Sequence, residues 1–476
     1  MSFGEQLKAI GINKDQPWRI IFLLFFAVLN EFMIITVSGS FLPHAVKYFG
    51  VPWQFAGRYV GATFGAAEIG RSLSCFYTAF AIKRFGARRM FILMNLLQGA
   101  TTILFGFSWN LGMLIGTRIL VGLSTSVFLC TNVLVCGISN EDNQTYIITW
   151  VLTCTGSVGV IVGPALGGYL SLPTVQYPET ILDNAWFEKF PILMPNVILG
   201  VCMFLVAYGG YVWLPRPVRV VKSMIDLDNE ATSLISESHN KSTLSGKNDT
   251  ISGASYLIRN RSFVLATIIS SLYCCVANGL PMFVPLWLQT PASKFGMGFK
   301  PHETSLVFLA TGIFQLVFEL LIVGAVNKKL RAKRSFYMWS VIQMFLVAAL
   351  CSFRALGNTS AFKVCMSFYF GVISVTVSGG WTSVYIFLNN SVTENRLAVA
   401  LGCATTLRFF YQGATHLIIG AIYSASVRNE STNEEYLLAG FPFNHHLIFY
   451  LLSMQILLAC SLAVCIREDI DRRAKN

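Results

Sequence analysis

The sequence predicts an all-α membrane protein in which twelve transmembrane helices form two six-helix bundles. Of its 476 residues, 54% are hydrophobic and only 12% are charged. The mean hydropathy is +0.60, and long apolar runs recur along the whole chain. Soluble proteins carry about 25% charged residues, whereas an apolar run of about 20 residues can span a bilayer as a helix. These observations exclude a soluble globular protein.

The apolar runs of spanning length are divided into two sets by one polar stretch at 216–260. They lie at 19–42, 58–81, 90–108, 111–137, 146–170, 192–214, 262–288, 304–326, 336–354, 361–388, 397–424 and 446–466. The six-plus-six arrangement indicates an internal duplication. Transporters built in this way bind their substrate near the membrane midplane, between the two halves.

The domain division follows from these runs. We expect an N-terminal bundle over 1–214, a flexible cytoplasmic linker over 215–261, a C-terminal bundle over 262–466 and a cytoplasmic tail over 467–476. The linker is rich in serine and acidic residues and cannot bury enough apolar surface to fold alone.

A short pattern inside the linker resembles an acidic dileucine sorting signal for endosomes, lysosomes or vacuoles. It consists of Glu230, Leu234 and Ile235. Six-residue matches of this kind often arise by chance.

The net charge of +12 is explained by membrane topology rather than by nucleic-acid binding. Basic residues crowd the short loops 83–89 and 328–334 and the tail after residue 466. Such loops remain on the cytoplasmic side of a membrane. We therefore expect a multi-pass protein with both termini in the cytoplasm, in the plasma membrane or in a vacuolar or lysosomal membrane.

Cysteine placement and motif content predict neither a metal site nor a cofactor. The twelve cysteines, from Cys75 to Cys465, all fall within apolar runs, and no C-x-x-C pair occurs. This usage does not fit a disulfide framework or a zinc finger. The chain has no G-x-x-x-x-G-K-[ST] loop, so ATP is not the expected energy source, and no enzymatic reaction is expected. The polar first seventeen residues lead directly into a full span, so no cleavable signal peptide is predicted.

The fifth apolar run carries a regular glycine pattern. Gly159, Gly163 and Gly167 recur every four residues and so share one face of a helix, and Pro164 predicts a kink. In a membrane, a face without side chains lets another helix approach closely. Spacing alone leaves ordinary small-residue packing as an equal alternative.

The segment Gly159-x-x-x-Gly163-Pro164-x-x-Gly167-Gly168 resembles the antiporter motif of the drug:proton antiporter branch of the major facilitator superfamily. Segments 187–196 and 440–443 resemble its zinc-induced-facilitator-like subgroup. The resemblance implies alternating-access exchange of a small organic solute for protons, by efflux or organelle loading. Solutes implied by the resemblance are drugs, siderophore- or nicotianamine-like chelators and organic acids.

Ionisable residues inside the apolar runs are the candidate pathway for protons and substrate. Each costs roughly 3 kcal/mol to insert at a membrane centre, so a functional role is the default. The candidates are Glu31, Glu68, Arg71, Arg118, Glu319, Arg408 and His416.

Glu31 and Arg118 are the main candidates in the first half. The resemblance implies that Glu31, an acid in the first helix, binds a proton or cation, whereas a structural hydrogen bond is the alternative. Arg118 lies in Leu114-Ile-Gly-Thr-Arg118-Ile-Leu-Val-Gly122, which resembles the fourth-helix motif associated with proton transfer. Because arginine keeps its charge, Arg118 needs a partner, and we expect it to be Glu31.

The other five ionisable residues allow several interpretations. Glu68 and Arg71 are three apart on one helix face and can form a local ion pair. Arg408 is expected to pair with Glu319 or to contact an anionic substrate. His416 suits proton sensing, although a simple hydrogen bond is the alternative.

Polar and aromatic residues of four runs complete the predicted cavity. They are Asn132, Tyr273, Asn278, Trp381, Tyr385, Tyr411 and Gln412.

The loop between the second and third runs departs from the superfamily signature. Arg84, Gly86, Arg88 and Arg89 match it, but Lys83 stands where the family carries an aspartate that helps to lock the cytoplasmic gate. This substitution predicts altered gating and keeps open facilitative transport without proton coupling.

The remaining alternative is a non-transporting receptor or scaffold, which would not need Glu31, Arg118 or the fifth-run motif. The expected partners are a small-molecule substrate, protons and lipid, without nucleic acid, and the expected functional unit is a monomer.

Overall fold

A computed structural model describes most of the chain. The described residues are 18–138, 155–214, 257, 259–294, 296–350, 352–353, 360–392, 394–427 and 446–466. Most of the predicted linker, the tail and the sorting pattern at 230–235 lie outside these ranges.

Each of the twelve predicted spans overlaps a helix within the described residues, although 146–154 of the fifth span lie outside them. The helices are α1 (Trp18–Thr36), α2 (Trp53–Phe85), α3 (Ala87–Gly106), α4 (Leu111–Ser124, continued by Val127–Ile138), α5 (Thr155–Leu170), α6 (Leu193–Trp213), α7 (Arg261–Gln289), α8 (Pro301–Phe318), α9 (Ala332–Ala349), α10 (Ser360–Asn390), α11 (Glu394–Ser426) and α12 (His446–Val464). Among the described residues, 8 helical stretches are long and apolar enough by themselves to cross a membrane.

The helices differ from the predicted spans mainly at their ends and at two interruptions. Helix α2 extends beyond the predicted 58–81 at both ends, since backbone hydrogen bonding continues where the apolar composition stops. Helix α4 is interrupted at Thr125 and Ser126. Helix α8 continues through a π-helical turn, Glu319–Val323, into a short helix, Gly324–Lys329. Apolar length thus predicts a span but not its local irregularities.

Helix packing repeats in the two halves. In the first bundle α1 packs on α5, α2 on α4 and α3 on α6; in the second α7 packs on α11, α8 on α10 and α9 on α12. Two further pairs, α2 with α11 and α5 with α8, join the bundles. The pairs correspond one to one under a shift of six helices, which is the arrangement expected from an internal duplication.

The bundle has two distinct ends. At the loop end lies the long α5–α6 connection, with short helices Pro173–Gln176 and Ala185–Lys189, and also the short helix Leu42–Tyr48 that follows α1. At the basic end, Gly86 separates α2 from α3 with a φ of 85°, a left-handed conformation that favours glycine. Large apolar side chains such as Phe26, Leu205 and Phe345 are exposed on the outer surface, as expected for a face that contacts lipid.

Candidate functional site: buried charges between the two bundles

Glu31 is buried in the first bundle, where its carboxyl accepts backbone hydrogen bonds from Val127 and Phe128 of α4. Its side chain is only 1% exposed. Its Oε2 accepts a hydrogen bond from the backbone N–H of Phe128 at 2.5 Å, where the second segment of α4 begins. Its Oε1 has no hydrogen-bond partner among the described residues. A carboxyl group with one free oxygen in an apolar interior has the capacity to bind and release a proton.

The partner predicted for Glu31 was wrong. Arg71 on α2, rather than Arg118, is the cationic group that acts on Glu31. The acid that acts on Arg118 is Glu68. Among the described residues, the ion pair within 4 Å is Lys363–Glu303, far from these groups in the sequence. Sequence spacing did not predict these neighbours because they depend on how α1, α2 and α4 rotate against one another.

Glu68 is the acid at the centre of the charge cluster. It is buried, and its electrostatic neighbours are Arg71, Arg408 and Arg118. The local interaction with Arg71 fits the predicted helix-face pair, but Glu68 also interacts with Arg408 in the second bundle. We refer to Glu31, Glu68, Arg71, Arg118 and Arg408 as the charge cluster.

Aromatic rings surround the guanidinium groups of this cluster. The Cζ of Arg118 lies 4.4 Å from the ring centroid of Phe105. The Phe409 ring lies 4.3 Å from the Cζ of Arg71 and 5.0 Å from that of Arg408, so it links charges of both bundles. Cation–π contacts of this kind are worth about 2 kcal/mol when desolvated.

The second bundle supplies polar groups beside Arg408. Tyr385 hydrogen-bonds to Arg408, and the Trp381 ring lies 5.3 Å from the Arg408 Cζ. Gln412 accepts a hydrogen bond from Asn278 at 3.2 Å. Two of these four predicted cavity residues, Tyr385 and Trp381, therefore contact Arg408, and the other two contact each other.

The other predicted cavity residues lie in different settings. Tyr273 is buried and donates to the carbonyl oxygens of Thr376 and Val377 at 3.1 Å, a structural role within the second bundle. Asn132 and Tyr411 are half-buried on α4 and α11. Glu319 opens the π-helical turn of α8 and is also half-buried.

The predicted gate loop lies at the basic end. Arg84 and Arg89 are exposed, and Arg88 donates to the Tyr211 carbonyl oxygen at 2.7 Å, which ties the loop to α6. Lys83 belongs to the last turn of α2, and its side chain is not among the described ones. The altered gating predicted from Lys83 stays a prediction.

The glycine stripe of α5 packs against α1. A Cβ built on Gly163 would lie 2.9 Å from the Met33 carbonyl oxygen, and one on Gly167 would lie 2.0 Å from that of Val37. The backbones are therefore in contact along this face. Gly168 points the other way, since its Cβ would lie 2.7 Å from the Pro301 carbonyl oxygen of α8.

The Pro164 carbonyl oxygen connects both bundles at the loop end. It accepts hydrogen bonds from Ser40, just after α1, at 2.7 Å and from Ser305 on α8 at 2.8 Å. Neither serine was predicted as a site residue. Serine is common in helices, so only the position of Pro164 between α1 and α8 identifies them.

A second unpredicted connection involves His44, which lies beyond the first span. Its Nδ1 is 2.8 Å from the Gln289 Oε1 at the end of α7, so this nitrogen carries the hydrogen and donates. Gln289 in turn donates to the Ser40 carbonyl oxygen at 2.5 Å. Burial lowers the pKa of His44, and the hydrogen bond with Gln289 partly offsets this effect.

Helices α2 and α11 meet in a glycine-lined contact that we call the α2–α11 seam. A Cβ on Gly57 would lie 2.8 Å from the Gly420 carbonyl oxygen, and one on Gly65 would lie 2.8 Å from that of Gly413. The hydroxyl of Ser72 donates to the Thr406 carbonyl oxygen at 2.8 Å. Together with the α5–α8 contact, this seam closes the loop end between the bundles.

No metal site emerges from the part of the chain that the structure describes. Within it, no group of three or more His, Cys, Asp or Glu side chains could hold a metal ion.

Comparison with known proteins bears on the whole chain. The family model described as Major Facilitator Superfamily matches residues 20–414. Protein ZINC INDUCED FACILITATOR 1 of Arabidopsis thaliana is 23% identical over 472 residues, covering 96% of this chain and 93% of that protein. Protein ZINC INDUCED FACILITATOR-LIKE 1 of the same plant is 21% identical over 461 residues, covering 95% and 92%.

A solved structure agrees with the fold. The crystal structure of a D-xylose–proton symporter matches with a TM-score of 0.71 at 13% identity, covering 96% of this chain and 99% of that one. Since the family model spans most of the sequence and the helices pair as two repeated bundles, the chain belongs to the major facilitator superfamily of transporters and is similar to its zinc-induced-facilitator members.

Proposed function

We propose that this protein exchanges a small organic solute for protons by alternating access, with Glu31 as the proton-binding residue. The observation that carries the proposal is the buried Glu31 carboxyl, which accepts backbone hydrogen bonds from α4 and has one oxygen without a hydrogen-bond partner among the described residues. The antiporter motif on α5 supports exchange, as does the charge cluster between the bundles. Transport is directed out of the cytoplasm or into an acidic organelle, and both termini are cytoplasmic.

The bundle contacts support alternating access as the mechanism. The α2–α11 seam and the Pro164 carbonyl oxygen join the halves at the loop end. Release of the solute there requires these contacts to separate. The charge cluster includes residues of both bundles, so its protonation state can affect how the bundles pack.

The second candidate is facilitative transport without proton coupling. Lys83 favours it, because it places a positive charge where the family resemblance implies an aspartate at the gate.

A flux assay in proteoliposomes separates the two candidates. A pH gradient is imposed, and counter-movement of a panel of chelators, organic acids and cationic drugs is measured for the wild type, Glu31→Gln and the matched control Glu68→Gln. We expect gradient-driven flux to fall at least about 100-fold in Glu31→Gln, because an amide cannot carry the proton. In this control, loss of the acid at the centre of the charge cluster should slow the flux. The remaining flux should still follow the pH gradient, since Glu68 is not the proton carrier in this proposal.

Three outcomes contradict the proposal. Flux that is independent of the gradient and persists in Glu31→Gln supports facilitation. If coupling is lost in Glu68→Gln alone, the proton-binding residue is Glu68 rather than Glu31. Absence of flux for every solute, in protein shown to be folded, argues against a transporter of these classes.

A further inference from the structure

His416 is buried in the α2–α11 seam without a polar partner. Its side chain is 1% exposed, and neither ring nitrogen has a hydrogen-bond partner among the described residues. The Phe64 and Phe283 rings approach it edge-on, with centroids at 6.2 and 6.4 Å. An unsatisfied buried polar atom costs about 1–3 kcal/mol, so the position of this imidazole requires a reason.

The two backbones are in contact beside His416. A Cβ on Gly61 would lie 2.5 Å from the His416 carbonyl oxygen and 2.9 Å from the Gly420 Cα. Among the described residues, neither ring nitrogen of His416 has an acceptor that would stabilise an imidazolium. Closure of the seam therefore favours the neutral ring.

The charge cluster lies about two helical turns from His416 along α2 and α11, towards the basic end. In this cluster α1 contributes Glu31, α2 contributes Glu68 and Arg71, and α11 contributes Arg408. The Cζ of Arg118 on α4 lies 6.0 Å from the Phe64 ring centroid. Helix α7 presents Phe283 and the Cys275 thiol, which hydrogen-bonds to Thr415. None of these groups hydrogen-bonds to the imidazole, because both of its ring nitrogens are without a partner among the described residues.

We propose that His416 is a second proton-responsive residue, neutral while the α2–α11 seam is closed and protonated from the loop-end solution once the seam opens. A low pH on the loop-end side then stabilises the loop-end-open state, because His416 is protonated there. When the seam closes, His416 releases its proton to the same solution. This step rests on the alternating-access part of the proposed function but not on Glu31. It makes opening at the loop end depend on the pH of the compartment that receives the solute.

The size of the effect follows from linkage. An imidazole in water titrates near pH 6.5, whereas the closed seam admits only the neutral form. Between pH 7.5 and 5.5 the open population should therefore rise about 10-fold relative to the closed one.

Hydrogen–deuterium exchange of the full chain in lipid nanodiscs tests this inference. Exchange of residues 53–65 and 413–424 is measured at pH 7.5 and 5.5 and corrected for the intrinsic pH dependence of exchange. We expect about 10-fold faster exchange at pH 5.5 in the wild type and less than about 2-fold in His416→Phe, which preserves an aromatic ring between Phe64 and Phe283. His416→Asn, which is also non-titrating, provides a second variant with the same expected loss if the Phe variant fails to fold.

His44→Gln is the matched control, because His44 is a loop-end histidine that already donates to Gln289. It should retain the pH response. The inference is overturned if the wild type shows no pH response, if both His416 variants retain it, or if it disappears only in His44→Gln. Glu31→Gln should lose coupled flux but retain the pH response, so failure of this inference is distinguishable from failure of the proposed function.

Discussion

Two of the helix pairs that join the bundles, α2 with α11 and α5 with α8, occupy equivalent positions in the duplicated fold but are built differently. The α2–α11 seam brings backbones together along Gly57, Gly61 and Gly65. The hydrogen bonds described for it lie towards its ends, such as that from the Arg58 N–H to the Ser424 hydroxyl at 2.8 Å. The α5–α8 contact instead depends on one carbonyl oxygen, that of Pro164, shared by two serines.

The difference indicates separate roles during opening. Close backbone contact along glycines is stabilised mainly by van der Waals packing. The α2–α11 seam can therefore separate with little loss of hydrogen bonding. The Pro164 carbonyl oxygen keeps its bond to Ser40 when Ser305 leaves, because Ser40 belongs to the same bundle. The α5–α8 contact can therefore open without leaving the Pro164 carbonyl oxygen unsatisfied.

The largest effect is expected from Gly61→Ala. Its Cβ would meet the His416 carbonyl oxygen and the Gly420 Cα, both backbone atoms that cannot rotate away. Overpacking of this kind costs about 1–3 kcal/mol, so loop-end closure should weaken by at least about 5-fold. The measurement is exchange of residues 53–65 and 413–424 at pH 7.5.

Gly402→Ala on α11 is the matched control for this prediction. Nothing lies within 4 Å of a Cβ at this position, so the change should be neutral or stabilising by about 1 kcal/mol. Unchanged exchange in Gly61→Ala would show that backbone contact does not maintain the seam.

A smaller effect is expected from Ser305→Ala. The variant removes one donor to Pro164 but leaves Ser40 in place, so it should cost about 0.5–1.5 kcal/mol of loop-end closure. This corresponds to roughly a 2- to 10-fold rise in exchange of residues 301–312.

Ser40→Ala provides the comparison within the first bundle. It should lower the melting temperature without promoting opening, because both partners move together. An equal rise in exchange for the two serine variants would contradict this assignment.

The smallest effect is expected from Lys363→Met. Lys363 and Glu303 form an ion pair at 2.6 Å, with side chains 33% and 23% exposed, within the second bundle. Such pairs contribute about 0–1 kcal/mol, so neither melting temperature nor loop-end exchange should change measurably. A shift as large as that of Ser305→Ala would mean that this pair also stabilises closure.

The glycine patterns illustrate how much of the site could be predicted. The stripe at Gly159, Gly163 and Gly167 was expected to pack closely against another helix, and the structure identifies that helix as α1. The same four-residue spacing in α2, at Gly57, Gly61 and Gly65, offered an equal signal for the contact with α11. The glycine spacing predicts a helix face without side chains, but it does not predict which helix packs against that face.

The buried charges show the same limit. Of the seven ionisable residues inside apolar runs, Glu31, Glu68, Arg118, Arg408 and His416 are buried, whereas Arg71 and Glu319 are half-buried. Their neighbours were not predictable, and the expected Glu31–Arg118 pair does not form. His44, Gln289, Ser40 and Ser305 were not predicted because their residue types are ordinary at helix ends.

The sequence by itself determined the membrane class, the twelve helices and their duplication, because apolar length and charge placement act locally along the chain. Only the tertiary structure decided which helices meet, which charges become neighbours and where an imidazole is enclosed without a partner. These features depend on the rotation and depth of each helix against the others, and side-chain packing across both bundles sets that geometry.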